Sequence, residues 1–291
     1  MPAFRRADWY ESPHYYDILL SPDSEREADF LEAVRACYGR TRGRCVLEPA
    51  CGSGRLLVEL AKRGWEVTGV DLSPEMVAYA RKRLAQEGLS GEVLLAPMQD
   101  FNLPRRFDLA HCLINTFKHL LHESDAVAAL RCVARALHDG GLFVLGLHLT
   151  DYDWDRRQRE RWTGQRGSTR VVCNLQSWPA DRRRRRELVR SRVVVEQRGW
   201  TERLETSWEF RTYDQGQLRR LLRAVPELEL LATHGFSYEL ERAPAENELD
   251  RVLVLQRRPR AALTGLRPGA VAQGAGRPGT GRRASSRRSA Q

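Results

Sequence analysis

A chain of 291 residues, 42% of them hydrophobic and 30% charged, has room for one large or two small domains around a sizeable core. No apolar run approaches the roughly 18 residues of a membrane-spanning helix, and Arg5, Arg6 and Asp8 stand where a signal peptide would be apolar, so a cytoplasmic protein with no membrane partner is expected. The net charge of +10 is concentrated from Arg257 onward, where nine arginines meet no acid, leaving 39 basic against 38 acidic residues before it; a basic groove for nucleic acid is thereby disfavoured.

Residues 1–43 read as a helical lid segment. Its main helix runs from Ser24 to Tyr38 with Phe30, Leu31, Val34 and Cys37 inward, and Gly39 is placed to end it in the left-handed conformation. Residues 44–258 then alternate short apolar runs with amphipathic stretches, the pattern of a doubly wound α/β sheet. Strands are expected at 44–49, 66–71, 92–96, 107–113 and 142–147. Ser73 caps the helix after the second, with Pro74 at its first position. The helix before the fifth ends at Asp139-Gly-Gly141.

Within 171–213 the texture changes to three alternating strands, 171–178, 187–197 and 201–213, an antiparallel ribbon inserted in the sheet domain. In the last of these, Leu204, Thr206, Trp208, Phe210 and Thr212 share one face. The sheet pattern resumes with a helix at 215–224 and strands at 229–233 and 251–256. Residues 259–291 read as a disordered Arg-rich tail. Arg182–Arg186 reads as a solvated hairpin turn. Six cysteines form no C-x-x-C pair and no Cys/His cluster at zinc spacing, so reduced thiols and no metal are expected.

The chemistry concentrates at the carboxyl ends of the strands. Glu48-Pro-Ala50-Cys-Gly52-Ser-Gly54-Arg55 joins the first strand to a helix; its glycines allow a tight turn and close backbone approach to a ligand at the helix N-terminus. A dinucleotide fingerprint would want a glycine where Leu57 stands, which argues against NAD. Asp71 ends the second strand nineteen residues after Gly52, where a carboxylate can accept both hydroxyls of a ribose. Asn115, Thr116 and His119 follow the fourth strand, and His148, Asp151 and Tyr152 the fifth.

Glu48, Gly52, Gly54, Asp71 and the Leu72-Ser-Pro-Glu-Met76 that follows resemble the motifs of the class I S-adenosylmethionine-dependent methyltransferases. The likeness covers roughly Tyr10 to Gln256. It implies a Rossmann-like seven-stranded sheet and S-adenosylmethionine as cofactor, with Glu48, Ala50, Gly52 and Gly54 lining its site. By the same resemblance Asp71 holds the ribose, Leu72 and Met76 pack the adenine, the Met98 backbone and Gln99 or Asp100 meet its edge, and Leu113 lies near the methionyl part. Pro97 stands where relatives often carry an adenine-binding acid. Arg55 either reaches the methionine carboxylate or is a solvated first-turn residue.

The Tyr15-Tyr16-Asp17 segment resembles the leading segment of small-molecule methyltransferases, which makes Tyr16 the residue that closes over the cofactor. An amine acceptor needs only a neutral nitrogen, whereas a hydroxyl needs a base, for which His119 and His148 are candidates. The ribbon resembles the acceptor-walling strands of amino-sugar and glycine N-methyltransferases, so a small-molecule acceptor and a methyltransferase (EC 2.1.1.-) are expected. A homodimer stays open. So do two alternatives: an RNA or protein methyltransferase docking through the tail, and a non-catalytic S-adenosylmethionine-binding module.

Overall fold

Runs rich in Val, Leu and Ala, separated by glycine turns and amphipathic stretches, dictate strands buried on both faces and joined by helical crossovers. The computed structural model describes residues 3–245 and 247–259; most of the Arg-rich tail lies outside them. In chain order come β1 (Arg5–Arg6), α1 (Pro13–Leu20), α2 (Ser24–Tyr38), β2 (Cys45–Pro49), α3 (Arg55–Lys62), β3 (Glu66–Asp71), α4 (Pro74–Gln86), β4 (Gly91–Leu95) and β5 (Phe107–Cys112). There follow α5 (Glu123–Ala136), β6 (Leu137–His148), β7 (Gln158–Arg166), β8 (Thr169–Ser177), β9 (Arg186–Gln197), β10 (Trp200–Arg211), α6 (Gln215–Arg223), β11 (Leu228–His234) and β12 (Asp250–Arg257).

The large sheet has seven strands in the order β11-β12-β6-β5-β2-β3-β4. Its β4-β3-β2-β5-β6 part is parallel, and β12 and β11 add antiparallel pairs at the β6 edge. The doubly wound α/β expectation therefore holds. One face buries Phe107, Phe143 and Leu145 beneath α5 and α6, and the other buries Val46, Val67 and Val144 beneath α2 and α3. Burying one such side chain contributes roughly 1.5–3 kcal/mol, so these two layers hold the strand ends, and everything mounted on them, in place.

The second sheet is larger than the expected ribbon, with five strands in the order β1-β10-β9-β8-β7. Two were not legible. Gln158–Arg166 is mostly exposed at the sheet edge, so it lacks the alternation that marks a half-buried strand, and β1 is only two residues long. Ile18, Leu19 and Leu20 of α1 pack on Val171, Cys173, Val193 and Val195 of this sheet, whereas Phe30, Leu31 and Val34 of α2 join the large sheet. The N-terminal segment thus anchors to both bodies.

Two boundary expectations are corrected. Gly39 does end α2, with its N–H on the Arg35 carbonyl, but its backbone is extended, φ −68° and ψ 136°. Glycine is needed there because a Cβ would meet the Arg35 carbonyl oxygen at 2.5 Å. The Asp139-Gly-Gly141 segment lies inside β6: Phe107 pairs with Leu137 and Leu109 with Leu142, so residues 138–141 bulge out of the ladder. The Arg182–Arg186 turn is pinned rather than free, with Asp181 accepting from the Arg183 and Arg184 N–H groups and Arg185 paired with Glu123 at 2.7 Å.

Candidate active site

The turn after β2 crosses the left-handed region three times, at Ala50 (φ 56°), Gly52 (53°) and Gly54 (68°). Gly54 has a second reason to lack a side chain, since a Cβ there would lie 2.8 Å from Ala80 Cβ on α4. Over Gly52 the nearest atom to such a Cβ is a ring carbon of Tyr16, at 3.6 Å. The Asp71 carboxylate braces this loop: it accepts from Gly52 N–H at 2.7 Å and from Ser73 N–H at 2.9 Å. Burial pushes its carboxyl above the usual range, and these N–H bonds oppose the shift.

Below Tyr16 lies a cavity of about 20 Å³ bounded by Glu48, Ala50, Arg55, Leu113 and Ile114. Glu48 is 8% exposed and its Oε2 has no hydrogen-bond partner. Burial raises its carboxyl well above the ordinary range, and this outweighs the attraction of Arg55. The guanidinium of Arg55 is committed elsewhere, to Glu27 Oε2 at 2.5 Å and Ser24 Oγ at 3.2 Å. It is therefore a buried bridge between α3 and α2, and neither a solvated residue nor a free carboxylate receptor. His111 lies 3.7 Å from Glu48 and is held neutral, lowered to about 3 by burial.

On the far side of Asp71, Leu72 is 70% exposed and Leu95, beside it at the end of β4, 57% exposed. Met76 does not share that surface; it is wholly buried in the protein. Met98 is half-buried against the core beneath α5, and the Gln99 carbonyl accepts from the Cys132 thiol at 3.2 Å. Both follow β4 at the crevice edge.

Tyr16 also borders a chamber of about 350 Å³ between the two sheets. One wall is aromatic. The His119 ring packs edge-on against Phe210 at 4.7 Å between centroids, and its Nε2 meets the Tyr10 hydroxyl at 2.8 Å. Burial lowers His119 to about 4, so the ring is neutral, with Nε2 engaged by the Tyr10 hydroxyl. Lys118, 2% exposed, sits 3.3 Å from Glu187 and over the Phe210 ring. On the opposite wall the cross-strand pair His148 and Asp250 meets Nδ1 to Oδ1 at 2.7 Å, and His148 N–H donates to Asn115 Oδ1 at 2.6 Å. Ile114 and Asn115 both take positive φ, 51° and 62°, a cost that chains retain mainly at functional sites.

The structure brings Tyr16, His119 and His148 to one chamber, and Tyr16 also borders the glycine-loop cavity with Glu48, Ala50 and Leu113. Arg55 borders that same cavity while paired with Glu27, and Met76 is wholly buried in the protein. Arg211 and Tyr213 are structural: Arg211 donates to the Leu121 carbonyl at 2.7 Å, and Tyr213 is buried against Phe117. Sequence reasoning missed Tyr10, Leu95, Lys118, Glu187 and Asp250. Lys118 carried a signal, a lysine beside the Asn-Thr-Phe turn at a strand end; the others arrive from remote segments.

Comparison with known proteins agrees with this geometry. Residues 46–141 match the family model described as "Methyltransferase domain". A putative methyltransferase of Geobacillus sp. is 31% identical over 48% of this chain and 58% of its own length. The dTDP-3-amino-3,6-dideoxy-alpha-D-glucopyranose N,N-dimethyltransferase of Streptomyces fradiae is 35% identical over 46% of this chain and 52% of its own. The chain thus spans little more than half the length of these relatives. An S-adenosylmethionine-dependent methyltransferase from Clostridium acetobutylicum superposes with a TM-score of 0.70 at 19% identity, over 84% of this chain and 97% of the other. Residues 46–141 therefore resemble a methyltransferase domain, in a chain that shares its fold with the Clostridium acetobutylicum methyltransferase.

Proposed function

We propose that the chain transfers a methyl group from S-adenosylmethionine to a small-molecule acceptor. The observation that carries this reading is that Tyr16 borders two spaces of opposite character: a small cavity beside the β2–α3 loop with a buried carboxylate that has one oxygen unpartnered, and a walled aromatic chamber. The residues fit the cofactor. The unpartnered Glu48 Oε2 suits an ammonium group, the free lone pairs of Asp71 suit a diol, and exposed Leu72 and Leu95 offer an apolar platform for a purine ring. Met98 and Gln99 stand at that platform's edge.

When bound, S-adenosylmethionine supplies an already activated methyl group on a sulfonium. The protein's part is alignment and water exclusion. Tyr16 closes the glycine loop from the acceptor side, and the aromatic wall of Tyr10, Trp208 and Phe210 shapes the chamber. Of the two candidate bases, His148 is the better placed. Its Nδ1 faces Asp250, so Nε2 is left to take a proton from the acceptor while the carboxylate steadies the resulting imidazolium. His119 is neutral, with Tyr10 on its Nε2, and orients the acceptor by hydrogen bonding. Lys118 and Glu187 add a buried ion pair; removing one partner of such a pair costs about 3–5 kcal/mol, which makes this wall rigid.

Support for a small acceptor comes from the chamber's size and from the amino-sugar nucleotide on which the Streptomyces fradiae relative acts. The test is formation of S-adenosylhomocysteine from S-adenosylmethionine with small amines and hydroxyl compounds. The expected result is acceptor-dependent product. Failure of S-adenosylmethionine and S-adenosylhomocysteine to bind would overturn the reading.

A further inference from the structure

We propose that Asp17 is a latch that holds α1 shut over the glycine loop and sets the rate at which S-adenosyl compounds leave; the inference rests on the S-adenosylmethionine reading above. Asp17 is wholly buried and its carboxylate collects five donors from four parts of the chain. Ser21 Oγ donates from 2.7 Å at the end of α1, and Ser53 Oγ from 3.1 Å in the glycine loop itself. Tyr79 OH donates from 3.1 Å and Arg83 Nη1 from 2.5 Å, both on α4. Arg166, on β7 of the second sheet, completes the set at 2.7 Å. A carboxylate offers about four acceptor positions, so this one is saturated. Despite burial, Arg83, Ser21 and Arg166 hold it below the usual carboxylate range, and it is charged at neutral pH.

The position of the cluster gives it a purpose. Asp17 follows Tyr16, the residue that covers Gly52. The space beneath Tyr16 is about 20 Å³, whereas sites for small-molecule ligands and cofactors are about 300–1,000 Å³. Passage of a ligand's amino-acid end to and from Glu48 therefore requires α1 to lift. Lifting α1 strips the carboxylate of the glycine loop, of α4 and of the second sheet together, so its hydrogen bonds set the barrier. Where the closed form is shared by the empty and loaded chain, weakening the latch speeds arrival and departure alike and changes affinity less.

The test is the release rate of S-adenosylhomocysteine from the full chain, by stopped-flow chase, in wild type, Asp17→Asn and Arg166→Gln. Asn keeps one acceptor oxygen but sets an NH2 group against these donors and removes the charge the arginines face, which corresponds to release about ten- to a hundredfold faster in Asp17→Asn. Arg166 is 44% exposed, so Arg166→Gln keeps the fold and speeds release by a smaller factor, about threefold. Hydrogen exchange without ligand is the second readout: amides of 13–20 exchange faster in Asp17→Asn while those of β2, β3 and β5 do not. Wild-type release rates in both variants would overturn the latch, as would uniform loss of protection, which marks a purely structural role. A wild-type chain that binds no S-adenosylhomocysteine would instead overturn the functional reading.

Discussion

Replacing Glu48 by Gln keeps the shape of the residue and removes its charge, and the structure assigns opposite signs to the two consequences. Glu48 is 8% exposed with one oxygen unpartnered. The nearby cation, Arg55, is paired with Glu27 at 2.5 Å, and His111 is uncharged. Leaving a buried charged acceptor unmatched costs about 1–3 kcal/mol or more. Its carboxyl is raised by burial above the value of 4.5 it has in an unfolded chain. The sign follows: this group favours folding fully below that value, and the advantage is lost as pH rises through the folded one. Glu48→Gln should therefore stabilise the ligand-free protein by about 1–3 kcal/mol at about pH 8 in urea denaturation, with a gain that shrinks toward about pH 5. Binding of S-adenosylhomocysteine, measured by calorimetry, should weaken about ten- to a hundredfold, since an ammonium group loses its charged partner. A variant less stable at about pH 8 with undiminished affinity would refute both the unmet charge and its assignment to the ligand.

Gly54→Ala should destabilise the chain by about 1–3 kcal/mol in denaturant titration, because the residue would hold a positive φ and press on Ala80; a change within 0.5 kcal/mol would count against that packing. His148→Asn and Asp250→Asn should each lower turnover on a hydroxyl acceptor about a hundredfold with S-adenosylhomocysteine affinity retained; full turnover in either variant would remove His148 from the base role. His119→Asn should leave the pH–rate profile unchanged above about pH 5, because burial holds His119 at about 4 and it is already neutral there; a profile altered in that range would make His119 the base.

Most of the large sheet was legible because its signals are local. The glycines after β2, the Ser73-Pro74 helix start and the acid ending β3 sit within a few residues of the structure they specify, and Ser73 Oγ does accept from Met76 N–H at 3.2 Å. The chamber was less legible because it is assembled from distant segments. Asp250 is 102 residues from His148 and becomes its partner only through the β12–β6 pairing. Tyr10 and His119 are 109 apart. Arg55 shows the converse: its place in the first turn of α3 left a ligand contact or a solvated side chain open, and its pairing with Glu27, one helix earlier, was not legible. Met76 follows the same logic, its helical position turning the side chain into the core. The edge strand β7 was invisible because an exposed strand needs no apolar alternation.

The most direct test of the central claim is calorimetric titration of S-adenosylhomocysteine into the wild-type chain and into Asp71→Ala. Asp71 braces the glycine loop through the Gly52 N–H at 2.7 Å and, in the proposed reading, holds the ribose hydroxyls, so the wild type should bind at one site and the variant should show no measurable heat. Equal binding by the two proteins would place the cofactor elsewhere and contradict the account.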